Sequence, residues 1–126
     1  METDKPLLVK DVMSTPLKTI SKEATVKEAA TLMREHDING LLVPGVSVGI
    51  ITTTDVTEAV AENKDPSEVT VADEMTAPVE RITTEEELTQ AAEMMTNFGF
   101  KHLPVVDTDG DFVGMVSMTD ITAHLA

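Results

Sequence analysis

The chain has 126 residues, 41% of them hydrophobic and only 2% aromatic, so Val, Ile, Leu, Met and Ala must fill any core. Nine Lys and Arg face 23 Asp and Glu, a formal net charge of -14. That argues against nucleic acid and anionic membrane surfaces as partners, since both are bound through cations that displace counterions. There is no cysteine, which excludes disulfides, thiolate metal sites and a cysteine nucleophile.

No apolar run approaches the ~18 residues of a membrane span. Met1 to Pro6 lacks the basic-then-apolar order of a secretion signal, so a cytoplasmic location is expected. The acids are spread along the chain rather than gathered in a tail. They fit either a halophile-like surface, whose self-repulsion salt screens, or an acidic face for a basic partner; the even spread favours the first.

Residues 1–6 are polar and are expected to be loosely ordered. Leu7-Leu8-Val9 is an apolar lead-in, and Lys10 to Met13 suits one helical turn that Pro16 ends. Leu17 to Ile20 alternates like a short strand. Thr25 and Glu28 form a capping box ahead of Val26, Ala29, Ala30 and Met33, which predicts a helix to about His36. Leu41 to Val43 and Val46 to Ile51 read as strands around a Pro44-Gly45 turn. Thr54 is expected to cap a helix ending near Asn63.

The order then repeats. Asp11 and Asp73, Met13 and Met75, Pro16 and Pro78, Ile20 and Ile82, and Ala29 and Ala91 all stand 62 positions apart. Gly49 and Gly114, like Asp55 and Asp120, stand 65 apart. The three extra residues fall in Asp107-Thr108-Asp109-Gly110-Asp111, a predicted hairpin turn where insertions cost little. The pattern predicts a duplicated unit: a first repeat over 7–63, a linker over 64–70 and a second repeat over 71–126. Thr84 and Glu87 are expected to form the second capping box. The predicted class is α+β, two β-α-β-β-α units packed sheet to sheet about a pseudo-twofold axis, because neither half alone offers enough core.

The most informative stretch is Gly114-Met115-Val116-Ser117-Met118-Thr119-Asp120, with its near copy Gly49-Ile50-Ile51-Thr52-Thr53-Thr54-Asp55. In each, a glycine precedes an apolar strand, hydroxyls follow, and an aspartate opens a helix. A carboxylate there is suited to plain helix capping; its occurrence twice suggests two related binding sites. The methionines Met13, Met33, Met75, Met94, Met95, Met115 and Met118 read as core filler. The Asp107 to Asp111 run is a turn rather than a calcium loop, because Met118 stands where the bidentate Glu belongs. His36, His102 and His124 lack metal-site spacing.

The duplicated pattern resembles the tandem CBS-domain pair, named after cystathionine β-synthase and also called the Bateman module. The resemblance covers about Leu8 to Leu125. It rests on Asp-Val-Met-Ser-Thr-Pro at 11–16, Phe100-Lys101-His102-Leu103-Pro104-Val105-Val106-Asp107, and the Gly-x-x-Ser/Thr-x-x-Asp element at both places. It implies an adenosyl ligand, AMP, ADP, ATP or S-adenosylmethionine, in clefts between the repeats. Carried over, it implies that Asp55 and Asp120 accept hydrogen bonds from ribose 2′ and 3′ hydroxyls. Thr52, Thr54, Ser117 and Thr119 would supply hydroxyls near ribose or phosphate. Adenine would rest against the loops 14–18 and 76–80, which hold Pro16, Lys18, Pro78 and Glu80, and against Ile38 and Phe100. Lys101 and His102 stand where the family often places phosphate contacts, while the first repeat has Asn39 and Gly40 there. The resemblance therefore implies a phosphorylated ligand at the Lys101 and His102 site. The other site would be empty or take a less anionic compound, such as one bearing a sulfonium. Taken singly, Lys101 equally suits a solvated surface and His102 a strand.

The resulting expectation is a stand-alone regulatory module, not an enzyme, with no required cofactor or metal. It would form a homodimer and signal to a regulated protein the sequence does not identify. The alternative is a ligand-free dimerisation or scaffold module of the same fold.

Overall fold

A computed structural model describes residues 5–124. The expectation of loose order at residues 1–6 falls, for its first four, outside the described residues. The elements run α1 (Val9–Val12), α2 (Val26–His36), β1 (Gly40–Val43), β2 (Gly49–Thr52), α3 (Thr53–Ala61), α4 (Val71–Glu74), β3 (Ile82–Thr83), α5 (Leu88–Phe98), β4 (His102–Val106), β5 (Phe112–Ser117) and α6 (Met118–His124). The mixed helix-and-strand class expected from the repeat is found.

The chain forms two compact units, and they exchange segments relative to the sequence repeat. One unit is Lys18–Val79; the other is built from the chain ahead of Lys18 and the chain from Glu80 onward. The lead-in therefore packs with the second repeat. Leu8 bridges Glu87, and the Val9 N–H donates to the Glu86 carbonyl at 2.9 Å. In the same way, α4 packs with the first repeat.

In the Lys18–Val79 unit, β1 and β2 are antiparallel, with Gly40 opposite Thr52 and Val43 opposite Gly49. Thr19 adds only an isolated parallel bridge to Leu42, so the strand expected over Leu17 to Ile20 shrinks to one residue pair. The apolar positions of α2 face the sheet, and Val26, Ala29, Met33, Leu41, Val43, Ile51 and Val71 form one buried cluster. In the other unit β4 is central, parallel to β3 and antiparallel to β5. Its core joins Val9, Leu88, Met95, Leu103, Val105, Val116 and Ile121. The methionines fill core as expected: Met33 and Met95 are buried, and Met13, Met75, Met94 and Met118 pack against the clusters.

Local chemistry explains most boundaries. The Thr25 and Glu28 box closes as predicted, with the Glu28 N–H on the Thr25 hydroxyl at 3.1 Å and the Thr25 N–H on Glu28 Oε1 at 2.8 Å. Helix α5 ends at Gly99, φ 77, and α2 ends at the equivalent Asp37, φ 53, a left-handed stop that Gly takes with less strain. The turn after β4 is closed by Asp107, whose Oδ1 accepts from the Asp109 and Asp111 N–H groups at 2.9 and 3.0 Å.

Two caps differ from expectation. Helix α3 starts at Thr53 with Thr52 as its N-cap, so Thr54 lies inside the first turn rather than before it. Helix α5 is preceded by Glu87 with no side-chain cap bond. Thr84 does not form the expected box, because its N–H extends the sheet to the Val106 carbonyl at 3.0 Å.

Candidate functional site

Each unit follows the last strand of its sheet with an aspartate-bearing helix start. At the β2–α3 junction, Asp55 Oδ2 accepts from the Thr52 N–H at 2.8 Å and the Thr52 hydroxyl at 3.2 Å. At the β5–α6 junction, Asp120 Oδ2 accepts from the Ser117 N–H at 2.8 Å and the Ser117 hydroxyl at 3.0 Å. Each aspartate is thus the third residue of its helix and reaches back to the cap. Only Oδ2 is used; among the described residues no protein donor bonds either Oδ1. Both residues are half-buried. Thr54 and Thr119 stand exposed on the same first turns.

A short loop lies against each junction. Ser14 and Met115 exchange backbone hydrogen bonds at 2.8 and 3.2 Å, and Ile50 and Thr76 exchange two at 3.0 Å. These bridges place the loop bearing Pro16 beside the strand that leads to Asp120, and the loop bearing Pro78 beside the strand that leads to Asp55. The approach is close enough to require glycine. A Cβ on Gly114 would lie 2.9 Å from the Ser14 carbonyl oxygen, and one on Gly49 would lie 2.9 Å from that of Thr76. The peptide bonds before Pro16 and Pro78 are both cis.

The Lys18–Val79 unit holds Thr52, Thr54, Asp55, Lys18, Ile38 and Pro78. Lys18 is half-buried and its carbonyl accepts from the Leu42 N–H at 3.0 Å. Ile38 packs on the core and lines, with Arg34, Asn39, Thr53 and Val56, a groove of about 360 Å³ between α2 and α3. The other unit holds Ser117, Thr119, Asp120, Lys101, His102, Pro16, Glu80 and Phe100. His102 pairs with Ser117 across the β4–β5 ladder, and the Lys101 carbonyl accepts the Met118 N–H at 2.9 Å. Lys101, His102, Ser117 and Asp120 are thereby gathered at one sheet end. Phe100 is half-buried against the core, its ring 6.1 Å from that of Phe98. Glu80 is exposed.

The electrostatics of the two junctions differ. Burial pushes the Asp55 carboxyl above its ordinary value; the hydrogen bonds from Thr52 oppose the rise, and the nearby charge of Glu74 adds to it. Burial pushes the His102 imidazole below its ordinary value, against the attraction of Asp120 and with a small further push from Lys101. A neutral His102 presents one N–H donor and one acceptor.

Two residues near Asp55 escaped the sequence reading. Lys64, read as linker, donates to Glu74 Oε2 at 2.7 Å and pairs with Glu62 at 3.1 Å. Glu74 has a side chain only 10% exposed, and its charge is the one that adds to the rise at Asp55. The one available signal was that Glu74 matches no acid in the first repeat, where Val12 holds the equivalent place.

A family model for the CBS domain matches residues 9–62 and 68–126. The chain belongs to the CBS domain family. CBS domain pairs are regulatory modules, and the enzymes this CBS chain is similar to match it over a minor part of their own length. It is 37% identical over 122 residues to L-aspartate semialdehyde sulfurtransferase of Methanosarcina acetivorans, covering 94% of this chain and 24% of that protein. It is 35% identical to an uncharacterized 17.7 kDa protein of Acidianus ambivalens, covering 93% of this chain and 72% of that one. Against an uncharacterized Methanopyrus kandleri protein, MK0525, it is 36% identical over 82% of this chain but spans only 55% of the relative. Among solved structures, it is similar to the CBS domain pair of protein MJ0100 in complex with 5′-methylthioadenosine and S-adenosyl-L-methionine. There the TM-score is 0.84 and the identity 31%, over 96% of this chain and 97% of that one. It is also similar to a hexameric CBS-CP12 protein from bloom-forming cyanobacteria, at TM-score 0.88 and 27% identity over 96% of this chain and 69% of that one.

Proposed function

We propose that this CBS chain binds an adenosyl ligand at Asp55, at Asp120 or at both, and reports its presence to a partner protein. The observation that carries the reading is the half-used carboxylate. Each aspartate is fixed by its own cap through Oδ2, while Oδ1 keeps acceptor capacity for the paired hydroxyls of a ribose. The loops bearing Pro16 and Pro78 lie beside the strands that lead to these carboxylates and would offer backbone groups to an adenine edge. The bound 5′-methylthioadenosine and S-adenosyl-L-methionine of the MJ0100 pair support an adenosyl compound here. The net charge of -14 opposes a polyanion such as ATP at low salt more than it opposes AMP, and favours a sulfonium-bearing compound.

The output passes to another protein or to a change in oligomer geometry, and a homodimer is the assembly proposed. The even spread of acids fits a surface suited to high salt and an aqueous, cytoplasmic setting. Among the described residues no helix is long and apolar enough to cross a membrane.

One observation favours a second reading, a ligand-free scaffold. Asp11 Oδ2 accepts the Leu8 N–H at 2.9 Å, and Asp73 Oδ2 faces the Thr70 N–H at 3.4 Å. These aspartates make the same turn without any ribose role, so capping alone accounts for the geometry.

A thermal-shift screen separates the two readings. The compounds are AMP, ADP, ATP, S-adenosylmethionine and 5′-methylthioadenosine, with GMP as control, at low and molar salt. Ligand at about 100 times its dissociation constant adds roughly 2.7 kcal/mol. A shift with an adenosyl compound and none with GMP supports the sensor; no shift with any compound on a folded chain supports the scaffold.

A further inference from the structure

The chain holds eight methionines but no cysteine, tryptophan or tyrosine, so its thioethers are the side chains a peroxide attacks first. Met33, Met95 and Met115 are buried, and Met94 and Met118 pack at the margin of a core. Met13 and Met75 occupy a different place. They are equivalent in the repeat, 62 positions apart, and both are half-buried.

Each closes a one-turn helix and opens a loop. Met13 follows α1 and donates its N–H to the Val9 carbonyl at 3.0 Å; Met75 follows α4 and donates to Val71 at 2.8 Å. The next residue, Ser14 or Thr76, is the one bridged to Met115 or Ile50. The sulfur itself rests on that strand. A Cβ on Gly114 would lie 2.8 Å from the Met13 sulfur, and one on Gly49 would lie 3.0 Å from the Met75 sulfur. Each thioether therefore fills the space that a side chain on the glycine would take.

We propose that Met13 and Met75 are oxidation sites, where a peroxide converts the thioether to the sulfoxide and loosens the loop from its strand. The sulfur attacks one peroxide oxygen, an S–O bond forms and the O–O bond breaks. The thioether gives up an electron pair; the departing hydroxide takes the proton of the transferred oxygen and leaves as water. The new oxygen needs room and a hydrogen-bond donor. Room is lacking on the glycine side. Donors are lacking too, because the N–H groups of Ser14 and Met115, and of Ile50 and Thr76, are bonded across the bridge. A polar oxygen left unpaired in a close contact is unfavourable. A side chain that swings outward instead leaves Gly114 or Gly49 uncovered, which forfeits the packing. Either way the bridge weakens at the loop bearing Pro16 or Pro78, whatever the nearby aspartate binds. The change is reversible, since sulfoxide reductases return the thioether.

The test treats the full chain with hydrogen peroxide. Peptide mass spectrometry follows each methionine, and hydrogen exchange follows the amides of Ser14, Met115, Ile50 and Thr76. The Leu42 and Thr84 amides, bonded to Lys18 and Val106 in the same two units, are the references. Met13 and Met75 are expected to gain oxygen before Met33, Met95 and Met115. Exchange at the four bridge amides should then rise about five- to tenfold against the references, the effect of losing roughly one hydrogen bond. A methionine sulfoxide reductase should reverse the rise. In the double variant Met13→Leu, Met75→Leu, which keeps apolar volume without sulfur, peroxide should leave the ratio unmoved; in Met94→Leu, Met118→Leu the rise should persist. Where the first double variant does not fold, the oxidised and re-reduced parent decides alone. Three results overturn the proposal: bridge amides no faster once both methionines are oxidised, Met13 and Met75 intact after the buried methionines have reacted, or a rise that survives in Met13→Leu, Met75→Leu.

Discussion

Ser117 holds Asp120 by two bonds to one oxygen, the backbone N–H at 2.8 Å and the hydroxyl at 3.0 Å, and its hydroxyl in turn accepts the Asp120 N–H at 3.2 Å. This reciprocal cap fixes the carboxylate before any ligand arrives. The same residue pairs with His102 across the sheet, so the cap, the aspartate and the imidazole share one rigid platform. A site built this way loses little conformational entropy on binding. The aspartate is also structural, so a substitution must be read for both roles.

The close approach at the two glycines gives a stability prediction. Gly114→Ala brings a methyl within 2.8 Å of the Met13 sulfur and 2.9 Å of the Ser14 carbonyl oxygen, and Gly49→Ala within 2.9 Å of the Thr76 carbonyl oxygen. Met13 can rotate, but the carbonyls belong to bridged loops and cannot. Each substitution is expected to cost about 1–3 kcal/mol in chemical denaturation, and to weaken ligand binding at the junction whose loop it displaces.

Asp55 carries a pH signature. Its folded pKa lies above the ordinary 3.8, first through burial, with Glu74 adding after the opposing bonds from Thr52. The folded chain therefore binds this proton more tightly than the unfolded chain does. That contribution to stability is present below the ordinary value and is lost as pH rises through the folded pKa. Asp55→Asn keeps an acceptor for the Thr52 N–H and removes the titration. Its stability relative to the parent should improve as pH rises from about 3 to neutrality. A difference that is flat with pH would show that Asp55 is better solvated than the structure implies.

His102 predicts the opposite slope. Burial lowers its folded pKa below 6.5, so the unfolded chain takes up the proton more readily. The stability this contributes is full above the ordinary value and is lost as pH falls through the window beneath it. Thermal melts of His102→Gln and the parent should agree best in slope above about pH 7, and the parent should lose more stability on descent to about pH 5. Asp120 and Lys101 face the ring with opposite effects, so the window should widen in Asp120→Asn, where the attraction that favours the charged ring is gone.

Much of this architecture was legible in the chain because its signals are local and occur twice. The 62-residue offset is strict from Asp11 to Ala91, and the length change falls in the Asp107 turn where the structure has a hairpin. Thr25 and Glu28 announced α2 through a box that closes as read. The start of α3 was misplaced because Thr52, Thr53 and Thr54 offer three hydroxyls in a row. The deciding clue is the Asp three residues after Thr52, which matches Ser117 and Asp120. Thr84 could not be excluded as a cap from sequence, because its N–H is used by a strand partner, Val106, 22 positions away. The exchange of lead-ins between units was hidden for the same reason. Val9 looks like the start of the first repeat, yet its bonds go to Glu86. Glu74 was hidden because its burial and its 2.7 Å pairing with Lys64 come from the folded packing of α4 rather than from any spacing in the chain.

The central claim is that Asp55 and Asp120 hold ribose as well as cap their helices. Calorimetric titration of the parent, Asp55→Asn, Asp120→Asn and the doubly substituted chain with S-adenosylmethionine and AMP tests it most directly. Asn preserves an acceptor for each cap but removes the charge that strengthens the bonds to ribose hydroxyls. The account predicts folded variants in which each single substitution weakens binding at its own site by about tenfold or more, and a double variant that binds neither compound. Unchanged affinities in the folded double variant would contradict it and leave the aspartates as helix caps alone.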